Sequence, residues 1–157
     1  MRAAWLAGAL FAALPCAALD GVVTRVSDGD TLWVKADDRR RPQKLRLRGI
    51  DAPELCQAWG IEARQALNAQ VLGERVHVVE GPVDDHGRRL VRLLRGDVDV
   101  GAQMVRGGHA WSYRYRNDPG PYGAEEAAAR SGRLGLFADP GAVNPREFRR
   151  VHGPCPR

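Results

Sequence analysis

This chain of 157 residues is short of several features that mark specialised proteins. It carries no internal repeat, no low-complexity tract and no sustained heptad pattern, which excludes a coiled coil. Its three cysteines form no Cys-x-x-Cys pair and its four histidines are scattered, which argues against a zinc site. Long apolar runs are also scarce. The longest, Ala3 to Leu14, is too short to cross a bilayer as a helix. It follows the positive start Met1-Arg2, and Cys16-Ala17-Ala18 supplies small residues for cleavage after Ala18. Residues 1–18 therefore read as a secretory signal peptide, with a lipoprotein cysteine at Cys16 or an uncleaved anchor as the lesser alternatives. The expected location is the periplasm or the extracellular medium, with no stable membrane association after cleavage.

What remains is one domain, residues 19–157, long enough to bury a working core. An apolar content of 44% across the whole chain argues against disorder. The net charge of +5 favours polyanionic partners, though only mildly. Two cysteines are left, Cys56 and Cys155. In an oxidising compartment they are a candidate disulfide tying the C-terminal tail to the segment after Pro53-Glu54; the alternative is two free thiols.

Periodicity predicts strands at 21–26 and 32–36 around the turn Ser27-Asp28-Gly29-Asp30, and at 44–50, where Leu45 and Leu47 oppose Arg46 and Arg48. Ala63, Leu67 and Val71 predict a helix over 59–72 that Gly73 ends. Strands at 76–80 and 89–94 follow, then a helix at 100–106, a last strand at 110–115 and a helix at 123–130. Residues 139–157, rich in Pro, Gly and Arg, read as an irregular tail. About five strands with a helix between the third and fourth are what a small Greek-key barrel of the OB type requires.

The chemistry-bearing residues cluster at strand ends. Asp30 lies in Asp-Gly-Asp-Thr (28–31) and Asp51 in Ile-Asp-Ala-Pro-Glu (50–54), positions from which carboxylates can converge on a hard cation or merely stabilise turns. Pro53 fixes the bend between Asp51 and Glu54, so Glu54 is a possible base for a water, or a helix-start residue. Arg46 and Arg88 offer guanidinium forks for phosphate, though any one arginine in so basic a chain can be a surface charge. Jointly these are the parts that phosphodiester hydrolysis needs.

The segments DGDT (28–31), LRLRGIDAPE (45–54), DDHGR (84–88) and VGAQMVRGGHAW (100–111) together resemble the staphylococcal nuclease family in order and spacing, over roughly residues 21–138. The resemblance implies an α+β fold, a five-stranded OB-fold Greek-key barrel with three α-helices. It also implies a nuclease that uses one calcium ion and takes DNA and RNA as substrates. Asp30, Asp51 and the backbone carbonyl of Ala52 match metal ligands, Glu54 the general base, and Arg46 and Arg88 the phosphate-binding arginines. His86 stands where the family often has a nucleotide-contacting tyrosine, and Tyr113 or Tyr115 matches another substrate contact. A monomer is expected. The alternative of a different class is a non-catalytic nucleic-acid-binding module of the same fold.

Overall fold

A computed structural model describes residues 18–114 and 118–156. The predicted strands at 21–26, 32–36 and 44–50 are β1 (Ala18–Val26), β2 (Thr31–Ala36), β3 (Gln43–Leu47) and the two-residue β4 (Ile50–Asp51). Alternation explains them: Val23, Leu32, Val34, Leu45, Leu47 and Ile50 all turn inward and are almost completely buried. The segment expected at 76–80 is longer, β5 (Arg75–Val83), and pairs with β6 (Arg89–Arg95). The short β7 (Val98–Asp99) leads into α2.

The hydrogen-bonded order is β3-β2-β1-β5-β6, and β3 then pairs in parallel with β6, Leu45 opposite Arg89 and Leu47 opposite Val91. Five strands thus close on themselves, and closure leaves the barrel without an open edge. The predicted OB-type barrel is the fold observed.

Helix α1 (Gly60–Val71) and helix α2 (Val100–Arg106) stop the barrel with Leu67, Val71, Met104 and Val105, all fully buried. Asp99 starts α2 by accepting the N–H of Ala102, and it also accepts the Tyr122 hydroxyl and the Arg92 guanidinium. Burial first, and Asp99 second, push the Tyr122 hydroxyl up to about 12, so it stays a neutral donor. Helix α3 (Gly123–Ser131) packs with a 3-10 turn (Gly135–Ala138) over a second core of Trp111, Ala129, Leu136 and Phe137.

Two expectations are corrected. The strand predicted over 110–115 reduces to β8 (Trp111–Ser112), which pairs with β4. The irregular tail contains a fourth helix, α4 (Pro145–His152), capped by the Asn144 carboxamide on the N–H of Arg146, so the described residues hold four α-helices rather than three. The cysteines are bonded: Cys56 and Cys155 join with Cα atoms 5.7 Å apart, fastening this tail to the body.

Candidate active site

Three short segments build the site. Thr31 opposes Arg46 in the β2–β3 ladder, and the Leu47 N–H donates to the Asp30 carbonyl, so Asp30 sits beside Arg46. Gly29 makes this approach possible: a Cβ there would lie 2.6 Å from the Cβ of Ala52 and 2.8 Å from that of Ala63. The turn therefore packs directly on the residue after Asp51 and on α1, and Asp30 reaches Asp51. β4 carries Asp51 outward, opposite Trp111 of β8.

Arg46 bridges the two aspartates. Its Nη1 donates to Asp30 Oδ1 at 2.8 Å and its Nη2 to Asp51 Oδ1 at 3.0 Å. Asp30 Oδ1 also accepts the Thr31 hydroxyl at 2.9 Å, and Oδ2 faces the Ala52 N–H at 3.4 Å. Both carboxylates are almost wholly buried, at 4% and 3% side-chain exposure. Burial drives Asp30 up to about 8, with Arg46 offsetting only part and Asp28 and Asp51 adding repulsion. Burial alone would lower Arg46, but Asp30 and Asp51 outweigh it and the net shift is upward.

Glu54 lies on the bend after Asp51, one-third exposed. Its N–H donates to Gln57 Oε1 and its carbonyl accepts the Gln57 N–H, which closes a turn before α1. Gly60 packs against that turn so tightly that a Cβ would fall 1.9 Å from the Glu54 carbonyl oxygen. Trp59, between them, holds a left-handed backbone with φ 70°, its indole N–H donating to His109 Nδ1. Burial lowers the pKa of His109, which suits its accepting role.

One residue in the cluster carries no sequence expectation. Arg149 of α4 donates from Nη1 to Glu54 Oε1 at 2.7 Å and from Nη2 to Asp51 Oδ2 at 3.0 Å. Its partners lie 95 and 98 residues earlier, so no local pattern could announce it. The signal that was available is the helix start Asn144-Pro145-Arg146-Glu147, a cap residue with Pro at the first helical position and Glu at the third.

Arg88 and His86 belong to the turn between β5 and β6. Arg88 donates from Nε to Asp84 Oδ2 at 2.8 Å across the β5–β6 turn. Burial would raise Asp84, but hydrogen bonds from Arg88 and the His86 N–H hold it below the usual carboxylate range. The parallel register sets Leu90 opposite Arg46, and Arg88 is the last residue of the turn before β6 begins at Arg89. His86 is exposed at the tip of that turn, beside Gly87 at φ 73°. Tyr113, 47% exposed, lines a cleft of about 280 Å³ with Asp51, Ser112, Arg114, Asn144 and Arg146. Tyr115 lies outside the described residues, as do residues 1–17 of the expected signal peptide.

Among the described residues, no three His, Cys, Asp or Glu side chains group as a metal cage. The donor chemistry nonetheless fits a hard cation. Asp30 and Asp51 offer buried carboxylate oxygens whose crowding favours added positive charge, and backbone carbonyl and water would complete the shell.

The class defined by this barrel and its carboxylate–guanidinium site is an OB-fold domain equipped to handle phosphate esters. Comparison with known proteins gives the particular lineage. Residues 44–139 match the model described as staphylococcal nuclease homologue. The chain is 40% identical to Protein ParB of Escherichia coli, covering 96% of this chain and 90% of that one. It is 38% identical to micrococcal nuclease of Shigella flexneri (96% and 92%) and 36% identical to an uncharacterized endonuclease of Escherichia coli O157:H7 (83% and 84%). The chain belongs to the staphylococcal nuclease family.

Proposed function

We propose that this protein is an exported, calcium-dependent nuclease that hydrolyses the phosphodiester bonds of DNA and RNA. The observation that carries the reading is the convergence of Asp30, Asp51, Glu54 and Arg46, with Arg46 hydrogen-bonded to both aspartates. Relatives named micrococcal nuclease and endonuclease support it.

Asp30, Asp51 and the carbonyl of Ala52 would hold the cation, which supplies Lewis-acid stabilisation of the charge that develops on the phosphate. The rest falls to the chain. Arg46 keeps its charge at any working pH and presents N–H donors at the mouth of the carboxylate pair, where a non-bridging phosphate oxygen can accept them. Arg88, in the turn that leads into β6, is the second such donor once it exchanges Asp84 for phosphate. Glu54, on its fixed bend, takes a proton from the attacking water as the new P–O bond forms. The bond to the 5′ oxygen breaks, that oxygen is protonated from solvent, and the phosphate stays on the 3′ side. Export is supported by the apolar run at 3–14 and by the Cys56–Cys155 bridge, which belongs in an oxidising compartment.

The test is digestion of single-stranded DNA, duplex DNA and RNA side by side, with calcium or with EDTA. Cleavage with calcium and none with EDTA is the expected result. Substrate left intact at every calcium concentration would replace this reading with the nucleic-acid-binding module.

A further inference from the structure

Arg46 and Arg149 share one carboxylate, that of Asp51, while Arg46 also bonds Asp30 and Arg149 also bonds Glu54. Arg46 takes the Oδ1 atoms of both aspartates. Arg149 donates to Asp51 Oδ2 at 3.0 Å and, at 3.3 and 3.4 Å, to its Oδ1 as well, while Asp30 Oδ2 faces the Ala52 N–H at 3.4 Å. If Arg149 withdrew, both carboxylate oxygens of Asp51 would regain acceptor capacity while Arg46 stayed in place. Those are the oxygens a hard cation would take. A guanidinium within hydrogen-bond distance of them repels a divalent ion and competes for the same lone pairs.

The helix that delivers Arg149 is built to be held rather than to hold itself. α4 has eight residues, too few to be stable alone in water. It is fastened on both sides: Gln57 Nε2 donates to the Val143 carbonyl at 2.6 Å before it, and the Cys56–Cys155 bridge closes after it. Both fastenings start from the segment that follows Glu54. The Arg149 side chain is one-third exposed and has solvent to move into. Burial works against its charge, but its hydrogen bonds to Asp51 and Glu54 raise its pKa, so it stays a cation throughout.

We propose that Arg149 is a tethered stand-in for the metal: it positions Asp51 and Glu54 in the metal-free protein and must leave for a divalent cation to bind, and the Cys56–Cys155 bridge sets how strongly it competes. The inference rests on the cation-dependent reading of the site, and it adds a regulating residue from outside the segments that resemble the family. The bridge acts by effective concentration, because a released tail no longer presents Arg149 to the carboxylates.

Calcium binding to the oxidised full domain, followed by titration calorimetry, tests this without reference to cleavage. Arg149→Gln is expected to bind calcium about tenfold more tightly than wild type, the equivalent of one lost competing ion pair of ordinary strength. The paired change Cys56→Ser with Cys155→Ser is expected to tighten binding as well, and to add nothing once Arg149 is already Gln. Unchanged near-ultraviolet circular dichroism shows that each variant is folded. Weaker or equal calcium binding by a folded Arg149→Gln protein would overturn the proposal, as would a cysteine effect that persists undiminished in the Arg149→Gln background. So would absence of calcium binding in both wild type and Arg149→Gln. A wild type that binds calcium but cuts nothing defeats the nuclease reading and leaves this one standing.

Discussion

The carboxylate of Asp30 should make the metal-free protein lose stability as pH rises, and Asp30→Asn should abolish that loss. Asp30 has 4% side-chain exposure, one guanidinium partner at 2.8 Å, and Asp28 and Asp51 as repelling neighbours. Burial is the dominant effect and lifts it from 3.8 to about 8. The sign follows from proton counting. Below its unfolded value the group is protonated in both states and contributes nothing. Above it the unfolded chain ionises freely while the folded chain keeps the proton, so folding stability falls until pH passes the folded value. Each pH unit in that window is worth about 1.4 kcal/mol. Between about pH 5 and pH 8 the loss therefore approaches 4 kcal/mol, and coupling to Asp51 and Arg46 brings it nearer 2–4. Asparagine has nearly the shape of the protonated acid and never ionises. Urea denaturation of both proteins in EDTA across that range isolates Asp30 together with its coupling to Asp28, Asp51 and Arg46, since carboxylates that do not face it cancel in the difference. Asp30→Asn should gain on wild type steadily with pH, and calcium should reverse the order by stabilising wild type alone. A difference that stays flat within about 0.5 kcal/mol would mean Arg46 compensates the charge fully, and the argument from burial would fail.

Three further outcomes follow from single contacts. Glu54→Gln removes the base and keeps the bend, so kcat should fall at least about a hundredfold with little change in KM; comparable losses in both would remove its assignment. Gly60→Ala forces a Cβ against the Glu54 carbonyl oxygen, which lies 1.9 Å from the ideal position, so the bend must shift. Steady-state rates should drop about tenfold or more in a protein that still folds, and normal kcat would show that the bend tolerates displacement. Glu126 is fully buried and accepts the Ser112 N–H at 2.9 Å, Arg114 at 2.6 Å and Arg130 at 2.8 Å. Glu126→Gln should cost about 2–4 kcal/mol in urea denaturation, because the amide turns a donor toward donors and leaves two half-exposed arginines unpaired. A loss under about 0.5 kcal/mol would show the pairs are solvent-screened.

The barrel was legible because its rules are local. Leu45 and Leu47 alternate with Arg46, and the structure buries the leucines and leaves the arginine on the outer face. Gly73 follows α1 as expected, and α2 spans the predicted 100–106. The misses come from long-range contacts. Glu126 sits in GAEEAAAR, which composition marks only as a helix former, and the partners it meets when buried, the Ser112 N–H and Arg114, lie 14 and 12 residues away. Among the described residues, the strand expected at 110–115 pairs over Trp111–Ser112, against the two residues of β4.

The tail makes the same point at the site. Its composition suggested irregularity, since Pro140, Gly141 and Gly153 break regular structure. The helix between them persists because both ends are anchored elsewhere, at Gln57 and at Cys56. Both anchors directly follow the Glu54 bend, so the chain that fixes the proposed base also recruits the arginine that covers it. Five residues legible from order and spacing would supply the cutting chemistry. The sixth, Arg149, reaches Asp51 and Glu54 from a helix that Gln57 and the disulfide hold beside the bend.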